Sequence, residues 1–250
     1  MPAIDYWLLA VAIPVIIFAG WIHGALGLGF PLIATPLIAV FIDVKAAILI
    51  TLLPTATVNV ASVFTAQNVT ATVGKYRLLM LASFAGAVAG SLLLANTDPS
   101  PYRLLLAFLI VVFLVTGHFN LRLKIQPVAS MMLLFGCLAG FAGGTTNVMV
   151  AVLIIYFLSV EVGRSEMVPA MNLCFLVGKT SQIAVFLALG VISLKWLLYT
   201  VPLAVVSYAA LKVGQRYGER IAADRYRSAL KIILLLLAAI LIAQFFLQNN

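Results

Sequence analysis

Runs of about 20 consecutive apolar residues, the length an α-helix needs to cross a bilayer, decide what this chain can become. Six stretches reach or approach that length, at 46–66, 74–95, 101–119, 167–190, 195–211 and 228–247. Two longer apolar stretches, 6–42 and 129–158, are interrupted near their middles. Composition agrees: 64% of the 250 residues are apolar and only 9% are charged, against about 25% charged in an ordinary soluble domain. The mean hydropathy is +1.19. A soluble fold of this size has too little interior to hide that much apolar surface, so lipid is its solvent. Soluble enzymes, DNA-binding modules and disordered tails are excluded, leaving one membrane domain over 1–250.

The interruptions are rich in glycine. The first reads Gly24-Ala25-Leu26-Gly27-Leu28-Gly29-Phe30-Pro31 and the second Gly140-Phe141-Ala142-Gly143-Gly144-Thr145-Thr146-Asn147. Broken helices leave backbone groups unpaired, which is tolerated only inside protein or beside a polar cavity. The breaks also repeat one another. A shift of 116 positions sets Gly20 on Gly136, Gly24 on Gly140 and Gly27 on Gly143, with Phe41 on Phe157 and Val44 on Val160. At nearby offsets Pro54 meets Pro169, Thr65 meets Thr180, Gln67 meets Gln182, and Tyr102-Arg103 meets Tyr226-Arg227. The chain therefore reads as two homologous repeats, 1–124 and 125–250, joined by the basic stretch Asn120–Gln126.

The net charge of +8 is explained by cytoplasmic loops that collect Lys and Arg, so no nucleic acid is expected. Simple hydropathy gives eight spans and an indecisive split of charge. If each broken stretch instead enters and returns, each repeat holds an odd number of full spans and the halves are inverted. One side then carries Lys75, Arg77, Arg122, Lys124, Arg164, Lys212, Arg216, Arg220, Arg225, Arg227 and Lys231, and the other only Lys45, Arg103 and Lys195. That asymmetry selects an all-α polytopic membrane protein of two homologous inverted repeats. Each has a Gly-rich broken or re-entrant helix pair plus three full transmembrane helices, with both termini outside the cytoplasm. The start, Met1–Asp5, lacks the positive n-region of a secretory signal. Cys137 and Cys174 lie in apolar runs, where reduced structural thiols are expected.

Inverted repeats with discontinuous helices are the architecture of secondary transporters, whose substrate sits near the midplane at the repeat interface. A helix that begins in mid-membrane turns free N–H groups and the positive end of its dipole toward an anion. The candidate binding residues at the breaks are Gly27, Gly29, Gly143, Gly144, Thr145, Thr146 and Asn147. For Gly20, Gly24, Gly136 and Gly140 tight helix packing is the better reading. Lys179 falls midway along 167–190, where an ionisable group is costly and usually functional. Asn172 lies seven residues before it on the same face and Gln182 three after, and Asn59 leads the polar residues of the matching first-repeat helix, with Thr55, Thr57 and Gln67 around Pro54. A snorkelling lysine and a satisfied proline kink are the competing readings. His23, just before the first break, is either a proton site or a packing residue.

Signatures of metalloproteases, serine hydrolases and P-loop ATPases are missing from the sequence, as are metal-spaced Cys or His clusters. No Asp or Glu sits firmly in mid-membrane. Neither enzyme activity nor a cofactor or metal is expected.

The pattern from Gly20 to Pro36, Gly-Trp-Ile-His-Gly-Ala-Leu-Gly-Leu-Gly-Phe-Pro-Leu-Ile-Ala-Thr-Pro, with the duplicate around Gly140–Asn147, resembles the sulfite exporter TauE/SafE family of bacterial membrane permeases over nearly the whole chain. The resemblance implies transport of sulfur-containing or related organic anions, such as sulfite, thiosulfate or sulfonates, across the bacterial inner membrane. The second break has no counterpart of Pro31. The expected partners are a small anionic substrate and membrane lipid, with self-association into a homo-oligomer left open. The alternative function is a non-transporting membrane scaffold or accessory subunit.

Overall fold

The structure is a computed structural model that describes residues 6–123, 125–217 and 223–248, without the side chains of residues 6, 223–230 and 248. Lys124 and Arg220 of the expected charge pattern, together with Met1–Asp5, lie outside the described residues. The side chains of Arg225 and Arg227 do too. The described chain is a bundle of helices: α1 (Tyr6–Leu26), α2 (Phe30–Ala39), α3 (Val44–Thr65), α4 (Val69–Asn96), α5 (Pro101–Phe119), α6 (Ala129–Thr146), α7 (Val150–Ser159), α8 (Arg164–Ala188), α9 (Leu194–Tyr199), α10 (Val201–Tyr217) and α11 (Ala223–Gln248). Among the described residues six helices are long and apolar enough to cross a membrane, namely α1, α3, α4, α5, α6 and α8.

Four of the expected spans coincide with α3, α4, α5 and α8, and 228–247 falls within α11. The stretch 195–211 does not form one helix. It divides at Thr200 into α9 and α10, because Pro202 has no N–H to continue the ladder to Leu198. The two interrupted stretches are indeed broken, each into a long helix and a ten-residue one.

The first break falls at Gly27–Gly29, inside the expected interval. Gly27 (φ 78) and Gly29 (φ 109) take left-handed conformations open to glycine at no steric cost. The second break begins at the last residue of the expected 140–147 and runs on to Met149. Gly140 to Thr146 remain helical, and the chain turns at Asn147, which is left-handed at φ 70. Asn tolerates that region better than most residues.

The reason lies in packing. A Cβ at Gly136 would collide with the Leu79 carbonyl, one at Gly140 with the Ser83 carbonyl, and one at Gly144 with the Ala87 carbonyl. On the facing helix, Gly86 and Gly90 meet the carbonyls of Cys137 and Phe141. These glycines bring α6 backbone-to-backbone onto α4, the close approach that small residues permit in lipid. They remove side chains from a helix face; they do not end the helix.

The α1–α10 contact is built alike. Gly20 faces Ser207 and Ala210, while Gly24 faces Leu211 and Gly214. Residue numbers rise together along both contacts, so α1 runs in the same direction as α10 and α4 in the same direction as α6. The remaining contacts fix two ends. At one, Arg164 donates to the Leu26 carbonyl, Lys75 pairs with Glu166, Arg122 pairs with Glu161 and the Leu123 N–H donates to Ser159. At the other, Lys45 donates to the Ala95 carbonyl, Arg103 to that of Ile42 and Gln244 to that of Val40. Helix starts recur at a spacing of 120, since α2 begins at 30 and α7 at 150, and α3 begins at 44 and α8 at 164. That spacing is four residues longer than the 116 read from the glycines. Because Gly136, Gly140 and Gly144 are one turn apart, a four-residue slip leaves glycine on glycine.

Candidate anion site at the second helix break

α3 and α8 pack against each other in the interior, and each turns one polar face inward. On α3 that face is Thr51, Thr55 and Asn59, spaced i, i+4, i+8. On α8 it is Asn172, Lys179 and Gln182. All six are buried.

Lys179 is only 4% exposed, and its ammonium donates to Asn147 Oδ1 and to Gln182 Oε1, both at 2.5 Å. Gln182 Nε2 donates to the Gly144 carbonyl at 2.9 Å. Asn147 Nδ2 donates to Thr35 Oγ1 at 2.9 Å and Thr51 Oγ1 at 3.3 Å. The left-handed turn at Asn147 thus places one amide where its oxygen holds the lysine and its nitrogen ties α2 and α3. Beside the ammonium is a cavity of about 10 Å³ lined by Thr55, Asn59, Asn147, Lys179 and Gln182 with apolar walls. That is room for about one water.

Around this cavity, Thr55 Oγ1 and both amide atoms of Asn59 make no hydrogen bond within the protein. A buried polar atom left unpaired costs about 1–3 kcal/mol, so three of them beside one cation mark a place built for a polar occupant. Among the described residues Lys179 has no carboxylate partner, since both its acceptors are neutral amide oxygens. An ammonium there faces the free Thr55 hydroxyl and the Asn59 amide N–H groups, donors of the kind an anion needs, alongside the unpaired Asn59 Oδ1 as an acceptor.

The residues expected from sequence do not all meet here. Asn59, Gly143, Asn147, Lys179 and Gln182 line the cavity, and Gly144 contributes its carbonyl while its Cα seals the contact with α4. Thr145 and Thr146 bond back to Phe141 and Ala142 carbonyls of their own helix. Gly27 and Gly29 stand at the other break. There Asn172 Nδ2 donates to the Gly27 carbonyl at 2.8 Å and the Phe30 N–H donates to His23 Nδ1 at 3.3 Å. His23 thereby occupies the first N–H of α2, one of those the dipole argument leaves for an anion. His23, Gly27, Ser62, Asn172 and Gln215 instead line a separate cavity of about 170 Å³.

Thr55 stands in the sequence among the polar residues around Pro54, with a binding role and a proline kink both open, and Thr35 and Thr51 give no signal of their own. The four-residue spacing on α3 is the pattern that finds Thr51 and Thr55. Thr35 meets Asn147 from 112 residues away in the chain.

Comparison with known proteins gives one match. A family model described as Sulfite exporter TauE/SafE matches residues 12–241. No curated protein and no solved structure matches the chain.

Proposed function

Because the chain belongs to the sulfite exporter TauE/SafE family, a family of membrane transporters, we propose that this multi-pass membrane protein moves small anions through a site at Lys179. The observation that carries the reading is the unpaired Thr55 and Asn59 set around a buried ammonium held only by neutral groups. A pyramidal or tetrahedral oxyanion of sulfur presents several acceptors to such a set, and sulfite, thiosulfate and sulfonates are the substrates proposed. A cavity of about 10 Å³ is too small for any of them. The described conformation is closed, and occupancy requires the walls from α2, α3, α6 and α8 to part.

The architecture proposed is that of two inverted repeats, 1–124 and 125–250. Helix α1 runs toward the end marked by Arg164, Lys75 and Arg122 and α6 runs away from it, while α3 and α8 are opposed in the same way. The exchange of partners supports this: α1 lies on α10 and α6 on α4, the same contact made twice with repeats swapped. Each repeat then holds a broken pair beside three further passes, and α1 begins and α11 ends toward the side of Lys45, Arg103 and Lys195. By the positive-inside rule that end is outside and the basic end is cytoplasmic. In a bacterial inner membrane the inside-negative potential drives an anion outward with about 2.3 kcal/mol per charge per 100 mV, so export needs no carboxylate relay.

Flux into proteoliposomes, screened over sulfite, thiosulfate, sulfonates and carboxylates, tests the reading. Wild-type protein passes at least one of them, and Lys179→Ala and Asn147→Ala lose at least tenfold of that flux. Undiminished flux in both variants removes the site. No flux of any anion in the wild type, with a stable protein partner on co-purification, replaces the transporter by a scaffold.

A further inference from the structure

On the face of α3 opposite Thr55 and Asn59, a cavity of about 520 Å³ lies between α3 and α10, within the range of about 300–1,000 Å³ usual for ligand sites. Leu53, Thr57, Val60 and Phe64 recur at helical spacing along its α3 wall. The intervening Ala56 and Ala61 are small and buried. They leave a slot whose rims, Phe64 and Tyr208, stand 84% and 44% exposed. Helix α3 is long and apolar enough to span a membrane, so the slot opens toward lipid. Between residues 53 and 65 it runs about 18 Å, close to the about 15 Å of hydrocarbon in one leaflet.

One end of the slot is basic. Lys212 lines it, exposed, with its Nζ 5.4 Å from the centre of the Tyr208 ring. Arg216, one turn further along α10, is exposed on the same helical face. Helix α3 ends here at Thr65, and the bond between His23 and Ser62 ties its last turns to α1, whose Leu26 carbonyl holds Arg164. The two cations therefore stand at the Arg164 end, where the slot meets the headgroups. Among the described residues neither is paired with a carboxylate, since the ion pairs are Lys75 with Glu166 and Arg122 with Glu161.

We infer that this slot binds an anionic phospholipid, with an acyl chain lying along residues 53–64 and the phosphate at Lys212 and Arg216. Basic pockets between membrane helices select anionic headgroups, whereas a zwitterionic lipid would bring a third cation to two already present. The rims argue against a helix of another protein as the occupant. Close helix contacts in lipid depend on small residues that let backbones meet, and the projecting rings of Phe64 and Tyr208 hold a second backbone off the alanines between them. Lipid seated there backs the stretch of α3 that carries Thr55 and Asn59 on its inner face. The site stands independently of anion binding at Lys179.

Two measurements test it on the purified full-length protein. The first titrates phosphatidylglycerol and phosphatidylcholine of identical acyl chains and reads bound lipid by native mass spectrometry. Wild-type protein prefers phosphatidylglycerol. Lys212→Gln weakens that lipid by roughly five-fold, the factor expected for one basic residue near an anionic headgroup, and leaves phosphatidylcholine unchanged, while Lys212→Arg restores the preference. Lys195→Gln removes a lysine that lies over Tyr199 at the opposite end of the bundle and changes neither affinity. Equal binding of the two lipids by the wild type, or equal losses in Lys212→Gln and Lys195→Gln, overturns the headgroup site. The second measurement uses phosphatidylglycerol with a photoreactive group midway along one acyl chain. Crosslinks fall within residues 53–64 and at Tyr208. Crosslinks confined to other faces overturn the slot, and a disulfide-linked dimer formed by Val60→Cys in native membranes replaces the lipid by a second copy of the chain.

Discussion

Replacing Asn147 by Gly and by Ala separates what its side chain does from what its backbone requires. Both variants lose the bond from Lys179 and the bond to Thr35, the first worth about 1.5–3 kcal/mol because it is charge-assisted and the second about 1 kcal/mol. Only Ala adds a left-handed penalty of about 1–2 kcal/mol, since φ at this position is 70°. The greater freedom of Gly in the unfolded chain offsets about 0.4–1 kcal/mol of that difference. Asn147→Gly is therefore more stable than Asn147→Ala by roughly 1 kcal/mol, or about 2–4 °C in Tm for a chain of this size. Both lie below the wild type. Thermal unfolding of purified protein, followed by tryptophan fluorescence, reads the order directly. The reasoning predicts wild type above Gly above Ala. Ala equal to or above Gly would refute the claim that a left-handed turn selects Asn at the second break.

Two further substitutions address the packing and the basic end. Gly140→Leu sets a side chain against the Ser83 carbonyl of α4, and overpacking of about 1–3 kcal/mol lowers Tm, whereas the same change at Gly74, where an added Cβ meets nothing, leaves Tm nearly unchanged. Glu166→Gln removes the ion pair with Lys75, whose side chains are 54% and 37% exposed; at such exposure the loss is below about 1 kcal/mol and shrinks further in high salt, as unfolding at two ionic strengths shows.

What the sequence disclosed and what it hid divide along physical lines. Long apolar runs report helices directly, so α3, α4, α5 and α8 are legible in their lengths. Lys179 is legible because a lone cation within such a run is expensive, and Gln182 and Asn172 follow from helical spacing. Glycines are ambiguous. Gly27 and Gly29 adopt the left-handed turns that break a helix, but Gly140 and Gly144 clear the way for a neighbouring backbone, and local sequence does not say which. The second break therefore falls at the end of its glycine-rich stretch, whereas the first falls in the middle. The cap on α2 was hidden for another reason: a histidine seven residues before Phe30 reaches it only because the chain reverses at the break. Residues joined across long separations, such as Thr35 with Asn147, carry no mark of their meeting in either segment.

The glycine contacts also set a timetable for assembly. The glycine face of α4 finds α6 after about 50 further residues have been made, which at about 5–20 residues per second is roughly 3–10 s. The matching face on α1, at Gly20 and Gly24, waits for Gly214 on α10, about 190 residues later, or roughly 10–40 s. Over that interval α1 keeps its bare backbone groove uncovered, open to an insertion factor or a small-residue helix of another protein. Of the two glycine faces, the one on α1 waits the longer for its partner.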